Sequence, residues 1–266
     1  MDSQYHEPYL QRSKAKTPKS VRAAQKLFSA LKQSRDQDGR SFKLDTLPAM
    51  IPLTVCDYED PPDSEGRSII DMYREHPNLL ILGKPGSGKT TLLQQLTLEL
   101  MDKELREREN DEKARWLPIF LSLYDWAKKR KPFKEWLTQQ LLDSLSIHRL
   151  DKSLIHYWVS RGNFILLLDG LDEMNEEDSE KCIDGINTFS KETDSPFVIS
   201  CQLDRYENLE RNGHILNVGQ KTVVVQNPKP SQAQNYLNQA GAERLSRFYQ
   251  EKQSQHPKEF AARPLI

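Results

Sequence analysis

An apolar run that leads directly into a glycine-rich turn, at residues 79–91, constrains the fold of this chain more than any other feature. The turn has the pattern Gly-x-x-x-x-Gly-Lys-Thr, which is typical of a phosphate-binding (Walker A) loop between a strand and a helix. Glycines allow positive φ angles and close approach to a ligand, so that the backbone N–H groups can surround an anion. The residues expected to contact the phosphates are Gly83, Lys84, Pro85, Gly86, Ser87, Gly88, Lys89, Thr90 and Thr91.

Two side chains at the end of this loop have the chemistry that a nucleoside triphosphate needs. Lys89 is placed to reach the β- and γ-phosphates, and the hydroxyl of Thr90 is placed to bind Mg²⁺. The alternative is a glycine-rich turn that matches the pattern by chance. The full pattern after a strand and before a helix favours the phosphate-binding interpretation.

A second apolar run, at residues 163–168, ends in the acidic residues Asp169, Asp172 and Glu173. Ligands of open α/β sheets bind outside the carboxyl ends of the strands, where both this cluster and the loop are expected to lie. We predict that Asp169 holds Mg²⁺ through water, together with Thr90. Either Asp172 or Glu173 could orient the attacking water, and acids that cap a helix N-terminus are the alternative for the cluster.

Apolar strands alternate with helical patterns along most of the chain, which predicts an α/β fold with a central parallel five-stranded sheet flanked by helices. The predicted strands lie at 78–82, 117–123, 163–168, 196–201 and 222–225. We divide the chain into a polar N-terminal tail with a basic amphipathic helix (1–47), a core (48–226) and a small, incomplete C-terminal helical part (227–266).

The overall composition narrows the class of protein. A net charge of −1 argues against a dedicated nucleic-acid-binding protein, which would carry a large basic excess. Three widely spaced cysteines, Cys56, Cys182 and Cys201, form neither a disulfide framework nor a metal-binding pair and favour a reducing compartment. The N-terminus has no signal-peptide pattern, and no apolar run has the length of a transmembrane segment. We therefore expect a cytoplasmic protein.

The loop and the segment Asp169-Gly170-Leu171-Asp172-Glu173 together resemble the NACHT family of signal-transduction NTPases, within the STAND branch of the AAA-like ATPases. That family carries a small residue after the Mg²⁺ aspartate and then two acids. The resemblance, closest to bacterial and especially cyanobacterial members, runs from about residue 51 to the end of the chain. It implies that ATP or ADP binds with Mg²⁺ and that the nucleotide state controls self-association or a protein partner. Bacterial signalling or anti-phage defence is the setting that it implies.

The same resemblance assigns further positions and shows two departures. It implies that residues 51–55 lie near the adenine and that Pro264 belongs to a proline motif that packs against the nucleotide. Gln202 stands where the family usually has an arginine that reads the γ-phosphate, and Arg205 is the nearest substitute. The chain also stops at the proline motif, as a truncated product of a longer gene would. A slow ATPase, a non-hydrolysing ATP- or ADP-binding module and a truncated remnant therefore all stay open.

Two other classes of phosphate-loop protein find no support in the sequence. A GTPase would need an Asn-Lys-x-Asp motif to read the base, and the chain has none. A small-molecule kinase would need an acceptor site and a lid, and the sequence has no signature of either.

Overall fold

The computed structural model describes residues 53–61, 64–110, 116–145 and 152–226, together with positions 238, 247 and 250. The strands of these residues are β1 (Thr54–Asp57), β2 (Leu79–Gly83), β3 (Leu117–Ser122), β4 (Phe164–Asp169), β5 (Phe197–Gln202) and β6 (Lys221–Gln226). The helices are α1 (Ile69–Glu75), α2 (Lys89–Asn110), α3 (Leu123–Lys129), α4 (Phe133–Leu145), α5 (Lys152–Arg161), α6 (Glu176–Glu192) and α7 (Leu203–Arg211). A short 3₁₀ helix, Leu171–Glu173, follows β4 directly.

The six strands form one sheet in the order β1-β6-β2-β5-β4-β3. The five predicted parallel strands are confirmed, with β6, β2, β5, β4 and β3 side by side. The predicted number of strands was wrong by one, because β1 adds an antiparallel edge strand in which Val55 lies opposite Val225. Local patterns predicted an extended segment there, but its partner lies at the other end of the described chain.

The core lies on both faces of the sheet, as expected for parallel strands that are covered by helices. Every residue of β2 and β4 is buried. Leucines of α2 pack on one face together with Ile69 and Met72 of α1. Large aromatic side chains fill the other face, where Phe189 of α6 contacts Phe133 and Phe197 edge-on. The sheet is therefore a rigid support for the loops at its carboxyl edge.

The predicted helices on the flanks of the sheet are present, but two short helices lie where the sequence pattern predicted none. These are α3 and α7, which begin at the residue after β3 and β5 with no turn signal before them. Each buries only one pair of side chains, Leu123 with Trp126 and Tyr206 with Leu209, so their helical periodicity is too brief to stand out. None of the helices in the described part of the chain is both long and apolar enough to cross a membrane.

The topology places β5 between the strand of the glycine-rich loop and the strand of the acidic cluster. Gln202, the last residue of β5, lies opposite Gly83 at the end of β2. Asp169, at the end of β4, lies opposite Ser122 at the end of β3. The parallel arrangement thus brings three predicted site segments to the same edge of the sheet.

Some predictions concern residues that are not described. The N-terminal tail 1–47 with its basic helix lies outside the described residues, and so does Pro264. Of the C-terminal part 227–266, the structure describes only positions 238, 247 and 250, each of which is helical. The predicted division into three parts stays a prediction.

Candidate phosphate-binding site

The glycine-rich loop leaves β2 at Gly83 and enters α2 at Lys89. The N–H of Ser87 donates to the carbonyl oxygen of Lys84 at 3.1 Å, which closes the loop, and the first helical bond joins Leu92 to Gly88. Gly86 and Gly88 have φ angles of +70° and +89°, a conformation that L side chains rarely adopt. Gly86 and Gly88 are therefore needed for the backbone path of the loop, whereas Gly83, the last residue of β2, does not have a positive φ angle.

Close packing around the loop also requires small residues. A Cβ at Gly83 would lie 2.4 Å from the hydroxyl oxygen of Ser87, and a Cβ at Gly88 would lie 2.5 Å from a methyl group of Leu53. Leu53 is buried and so covers the base of the loop from the segment that precedes β1. Leu53 thus lies against the phosphate-binding loop, and the expected position of residues 51–55 near the adenine stays a prediction.

Lys89 lies over the loop that precedes it. Its Nζ donates to the carbonyl oxygens of Gly83 and Lys84, each at 3.2 Å. These bonds hold a positive charge at the exposed apex of the loop, where Lys84, Pro85 and Gly86 face the solvent. A charge at this place complements the phosphates that backbone N–H groups of such a loop surround.

Asp169 is the most constrained acid at this edge of the sheet. Only 8% of its surface is exposed, and its Oδ1 accepts a hydrogen bond from the hydroxyl of Ser200 at 2.5 Å. Burial raises the pKa of the Asp169 carboxyl, against the opposing effects of the hydroxyl groups of Ser200 and Thr90 and of the nearby charge of Lys89. The structure thus brings together Thr90 and Asp169, the two residues that the sequence predicted as Mg²⁺ ligands.

The two other acids of the turn after Asp169 have different surroundings. Gly170 has a φ angle of +81°, and a Cβ there would lie 2.9 Å from the side-chain Cδ of Glu173. The carboxyl group of Glu173 therefore lies directly over Gly170, on the exposed side of the turn. Asp172 is half-buried, and its Oδ1 accepts a hydrogen bond from the backbone N–H of Gln202 at 2.8 Å.

The next helix, α6, is capped by a different residue. Asn175 is its N-cap, and the Oδ1 of Asn175 accepts a hydrogen bond from the N–H of Asp178 at 2.8 Å. The acids at 169–173 are therefore not the caps of α6, which was the alternative interpretation of this cluster.

Two further residues from the sequence lie close to this turn. Gln202 lies at the end of β5, beside both Gly83 and Asp172. Arg205 lies in α7, and its Nη2 donates to the carbonyl oxygen of Met174 at 3.3 Å. The guanidinium of Arg205 therefore contacts the backbone that follows the acidic turn.

The residues at this edge fit a hard divalent cation. A threonine hydroxyl and a neighbouring buried carboxylate are oxygen donors of the kind that Mg²⁺ prefers. The described residues hold no group of three or more His, Cys, Asp or Glu side chains that could bind a metal alone. A magnesium ion bound by one or two side chains and completed by substrate phosphates and water agrees with that donor set.

Sequence reasoning missed Ser200, which is fully buried and contacts Asp169. Its only sequence signal is a hydroxyl side chain directly after the apolar residues Phe197, Val198 and Ile199 of the same strand. Such a residue has no periodicity or motif of its own, so only the neighbouring strand shows what it does.

The strand, the glycine-rich loop with its lysine and threonine, and the aspartate at the tip of a nearby parallel strand define a P-loop NTPase. A family model for the NACHT domain matches residues 78–238, which is more than half of the chain. The chain therefore belongs to the NACHT family, as the sequence motifs indicated, and contains a nucleotide-binding P-loop module. No curated protein sequence matches it.

Three solved structures show a partial likeness to this chain. The Aeropyrum pernix ORC1 protein, solved in complex with DNA, has a TM-score of 0.47 and 16% identity over 74% of this chain and 52% of its own. Hsp104 in its closed state with ATPγS and casein has a TM-score of 0.39 and 12% identity over 70% of this chain and 32% of its own. PCH-2 of C. elegans has a TM-score of 0.37 and 11% identity over 86% of this chain and 48% of its own. The chain thus spans about half or less of the length of these proteins.

Proposed function

We propose that this NACHT module binds ATP with Mg²⁺ and acts as a nucleotide-dependent signalling switch with slow ATP hydrolysis. In this proposal Lys89 and the loop N–H groups bind the phosphates, while Thr90 and Asp169 hold the metal ion. Mg²⁺ would neutralise charge on the phosphates when it is bound there. A bacterial signalling or anti-phage role follows from the family resemblance and belongs to the same proposal.

One observation carries this proposal, namely that the buried carboxylate of Asp169 lies next to both Thr90 and Lys89. Thr90 belongs to the first turn of α2, and Asp169 ends β4, two strands away from β2. A hydroxyl and a buried carboxylate from such distant segments meet next to the charge of Lys89. A purely structural turn would not need this combination of a cation, a hydroxyl and a carboxylate at one place.

The contacts of the acidic turn support different roles for its two acids. Asp172 already accepts the Gln202 N–H, so we assign it the role of holding the turn against β5. Glu173 is exposed, and its carboxyl group lies next to Gly170. We assign Glu173 as the general base that orients and polarises the attacking water.

A second candidate function is a module that binds ATP or ADP without hydrolysing it. Gln202 supports this alternative, because an amide can donate a hydrogen bond to a phosphate oxygen but brings no positive charge to the transition state. Arg205, the nearest substitute, donates to the Met174 carbonyl. Two measurements test the candidates: the first tests the nucleotide binding that both require, and the second distinguishes them.

The first measurement is the melting temperature of the full chain with Mg²⁺ and either ATP or ADP. A ligand at about 100 times its Kd stabilises the folded state by about 2.7 kcal/mol, which is a rise of several degrees. Guanosine triphosphate at the same concentration is the control for base preference. A chain that melts cooperatively but shows no shift with any nucleotide contradicts both candidates, and a chain without a cooperative transition supports the truncated remnant.

The second measurement is single-turnover ATP hydrolysis by the wild type and by Glu173→Gln. The switch proposal expects slow turnover by the wild type and a loss of about 10²-fold or more in the variant. Equal rates in the two proteins favour the non-hydrolysing module.

Light scattering after gel filtration, with ADP and with a non-hydrolysable ATP analogue, then tests whether the nucleotide state controls self-association.

A further inference from the structure

Ser200 lies inside β5 and is fully buried, yet its hydroxyl makes two hydrogen bonds to the tip of β4. It donates to Oδ1 of Asp169 at 2.5 Å, and it accepts from the backbone N–H of Gly170 at 3.0 Å. One hydroxyl therefore holds both the carboxylate of Asp169 and the backbone of the residue that follows it.

The hydroxyl of Ser200 acts where the backbone pairing of the two strands has stopped. Parallel pairing between β4 and β5 runs as far as Leu168 and Ile199. At the next position, Asp169 and Ser200 are joined through their side chains instead. Two residues further along β5, the N–H of Gln202 donates to Asp172. Beyond the ladder, β5 thus contacts the acidic turn through two side-chain carboxylates.

The other neighbour of β5 is β2, which delivers the phosphate-binding loop. Ser200 lies opposite Ile81, and Gln202 lies opposite Gly83. The backbone of β5 is therefore fixed to the strand of the loop on one side, while its side chains and N–H groups hold the acidic turn on the other. Ser200 thus contacts the Asp169 carboxylate from the strand that lies between β2 and β4.

We propose that Ser200 is a positioning residue that orients the Asp169 carboxylate for Mg²⁺ and so provides the metal-dependent part of nucleotide affinity. This inference rests on the proposed function, because it concerns the same metal site. A group that hydrogen-bonds a ligating carboxylate fixes its orientation, and loss of such a partner typically lowers metal affinity about 10- to 100-fold. Ser200 itself contacts neither the metal ion nor the nucleotide in this proposal.

The test compares ADP binding by calorimetry in MgCl₂ and in EDTA. For each protein, we divide the dissociation constant in EDTA by that in MgCl₂. This quotient, the magnesium ratio, measures what Mg²⁺ adds to the affinity for ADP. We expect Ser200→Ala to lower this ratio about 10-fold or more relative to the wild type, with little change in the EDTA value. Equal ratios in the two proteins would overturn the inference.

Ser195 offers a matched control for the loss of a buried hydroxyl. It lies just before β5, is 5% exposed, and its Oγ has no hydrogen-bond partner among the described residues. Ser195→Ala removes the same atoms from the same segment but lies at the opposite end of β5 from the site. Its magnesium ratio should equal that of the wild type, and a fall as large as that of Ser200→Ala would show a general effect on β5 and overturn the inference.

Two further substitutions keep the test valid if Ser200→Ala folds poorly. Ser200→Thr keeps the hydroxyl, and we expect it to retain most of the magnesium ratio. Ser200→Cys keeps the size but replaces the hydroxyl by a weak donor, and we expect it to lose much of the ratio. A folded Ser200→Cys protein with the wild-type ratio contradicts the inference as clearly as an unchanged alanine variant does.

Failure of this inference can be told apart from failure of the proposed function. If the wild type binds ADP no better with Mg²⁺ than with EDTA, the proposed metal site itself is wrong. If the wild type gains affinity from Mg²⁺ and Ser200→Ala gains as much, only the role of Ser200 is wrong.

Discussion

Asp172 and Gln202 are joined by a hydrogen bond of 2.8 Å from the backbone N–H of Gln202 to the carboxylate of Asp172. The two residues are 30 positions apart in the chain and belong to the turn after β4 and the end of β5. That carboxylate therefore joins the acidic turn to the backbone at the end of β5. The contact also makes the end of β5 sensitive to any movement of the acidic turn.

We predict that Asp172→Ala destabilises the protein, while Asp172→Asn does so much less. Alanine leaves the Gln202 N–H without its acceptor, which costs about 1–3 kcal/mol when the group is buried. Asparagine keeps an oxygen at that position and retains most of the bond. Urea denaturation measures the two free energies of unfolding. Equal losses in both variants would show that the charge of Asp172, and not this hydrogen bond, stabilises the turn.

Much of the fold could be predicted because its signals are local. The five parallel strands are continuous apolar runs, and the phosphate loop is a contiguous motif from Gly83 to Thr90. The pairing of β1 with β6 could not be predicted, since Val55 and Val225 are distant in the chain. The helices α3 and α7 were missed because each buries only two side chains.

The candidate site was predictable in its parts and not in its contacts. The residue types at Lys89, Thr90 and Asp169, each at the end of an apolar strand or its loop, are enough to indicate phosphate and metal chemistry. The different roles that we propose for Asp172 and Glu173 depend on the contact of Asp172 with the backbone of β5, a tertiary contact that no local pattern records. The same limit applies to Ser200, whose importance lies entirely in its neighbour on the adjacent strand.

We predict that Gly170→Ala impairs hydrolysis more than it impairs nucleotide binding. The φ angle of +81° makes any side chain unfavourable, and the new methyl group would also collide with the carboxyl group of Glu173. Gly213 is the matched control, because its φ angle is +89° but a Cβ there meets nothing within 4 Å. Gly213→Ala should therefore show only the backbone cost of about 1–2 kcal/mol.

Single-turnover rates and unfolding free energies of the two glycine variants distinguish backbone strain at the substituted glycine from displacement of the Glu173 carboxyl group. Similar losses of stability with a lower rate only in Gly170→Ala would support the placement of Glu173. If both variants keep the wild-type hydrolysis rate, the carboxyl group above Gly170 has no part in catalysis.

We predict that Asp169→Asn stabilises the protein in EDTA near pH 7. Burial raises the pKa of this carboxyl in the folded state, so the folded protein holds the proton more tightly than the unfolded chain does. The stability that this group contributes is present below about pH 4, the unfolded pKa, and is lost as the pH rises through the folded pKa. Asparagine has a neutral amide in place of the carboxylate, so the variant does not lose this stability as the pH rises.

The pH dependence of the melting temperature in EDTA checks the predicted direction of this stability difference. The melting temperature of Asp169→Asn should exceed that of the wild type at pH 7, and the difference should shrink towards pH 4. Asp184→Asn, at an exposed position of α6, is the control. With Mg²⁺ and ADP the order should reverse, because the variant loses a metal ligand. A difference that does not depend on pH would show that the Asp169 carboxylate carries no cost of burial.

We predict that Lys89→Ala abolishes the nucleotide-induced rise in melting temperature. Its Nζ is held over the loop by the carbonyl oxygens of Gly83 and Lys84, at the place where phosphate charge must be balanced. Without nucleotide the variant should lose little stability, since a lysine bond to two partly exposed carbonyl groups contributes about 1 kcal/mol or less. Lys181→Ala, which breaks an exposed ion pair with Glu177 within α6, is the matched loss of one positive charge. A variant that melts like the wild type and keeps the full nucleotide shift would place the nucleotide away from this loop.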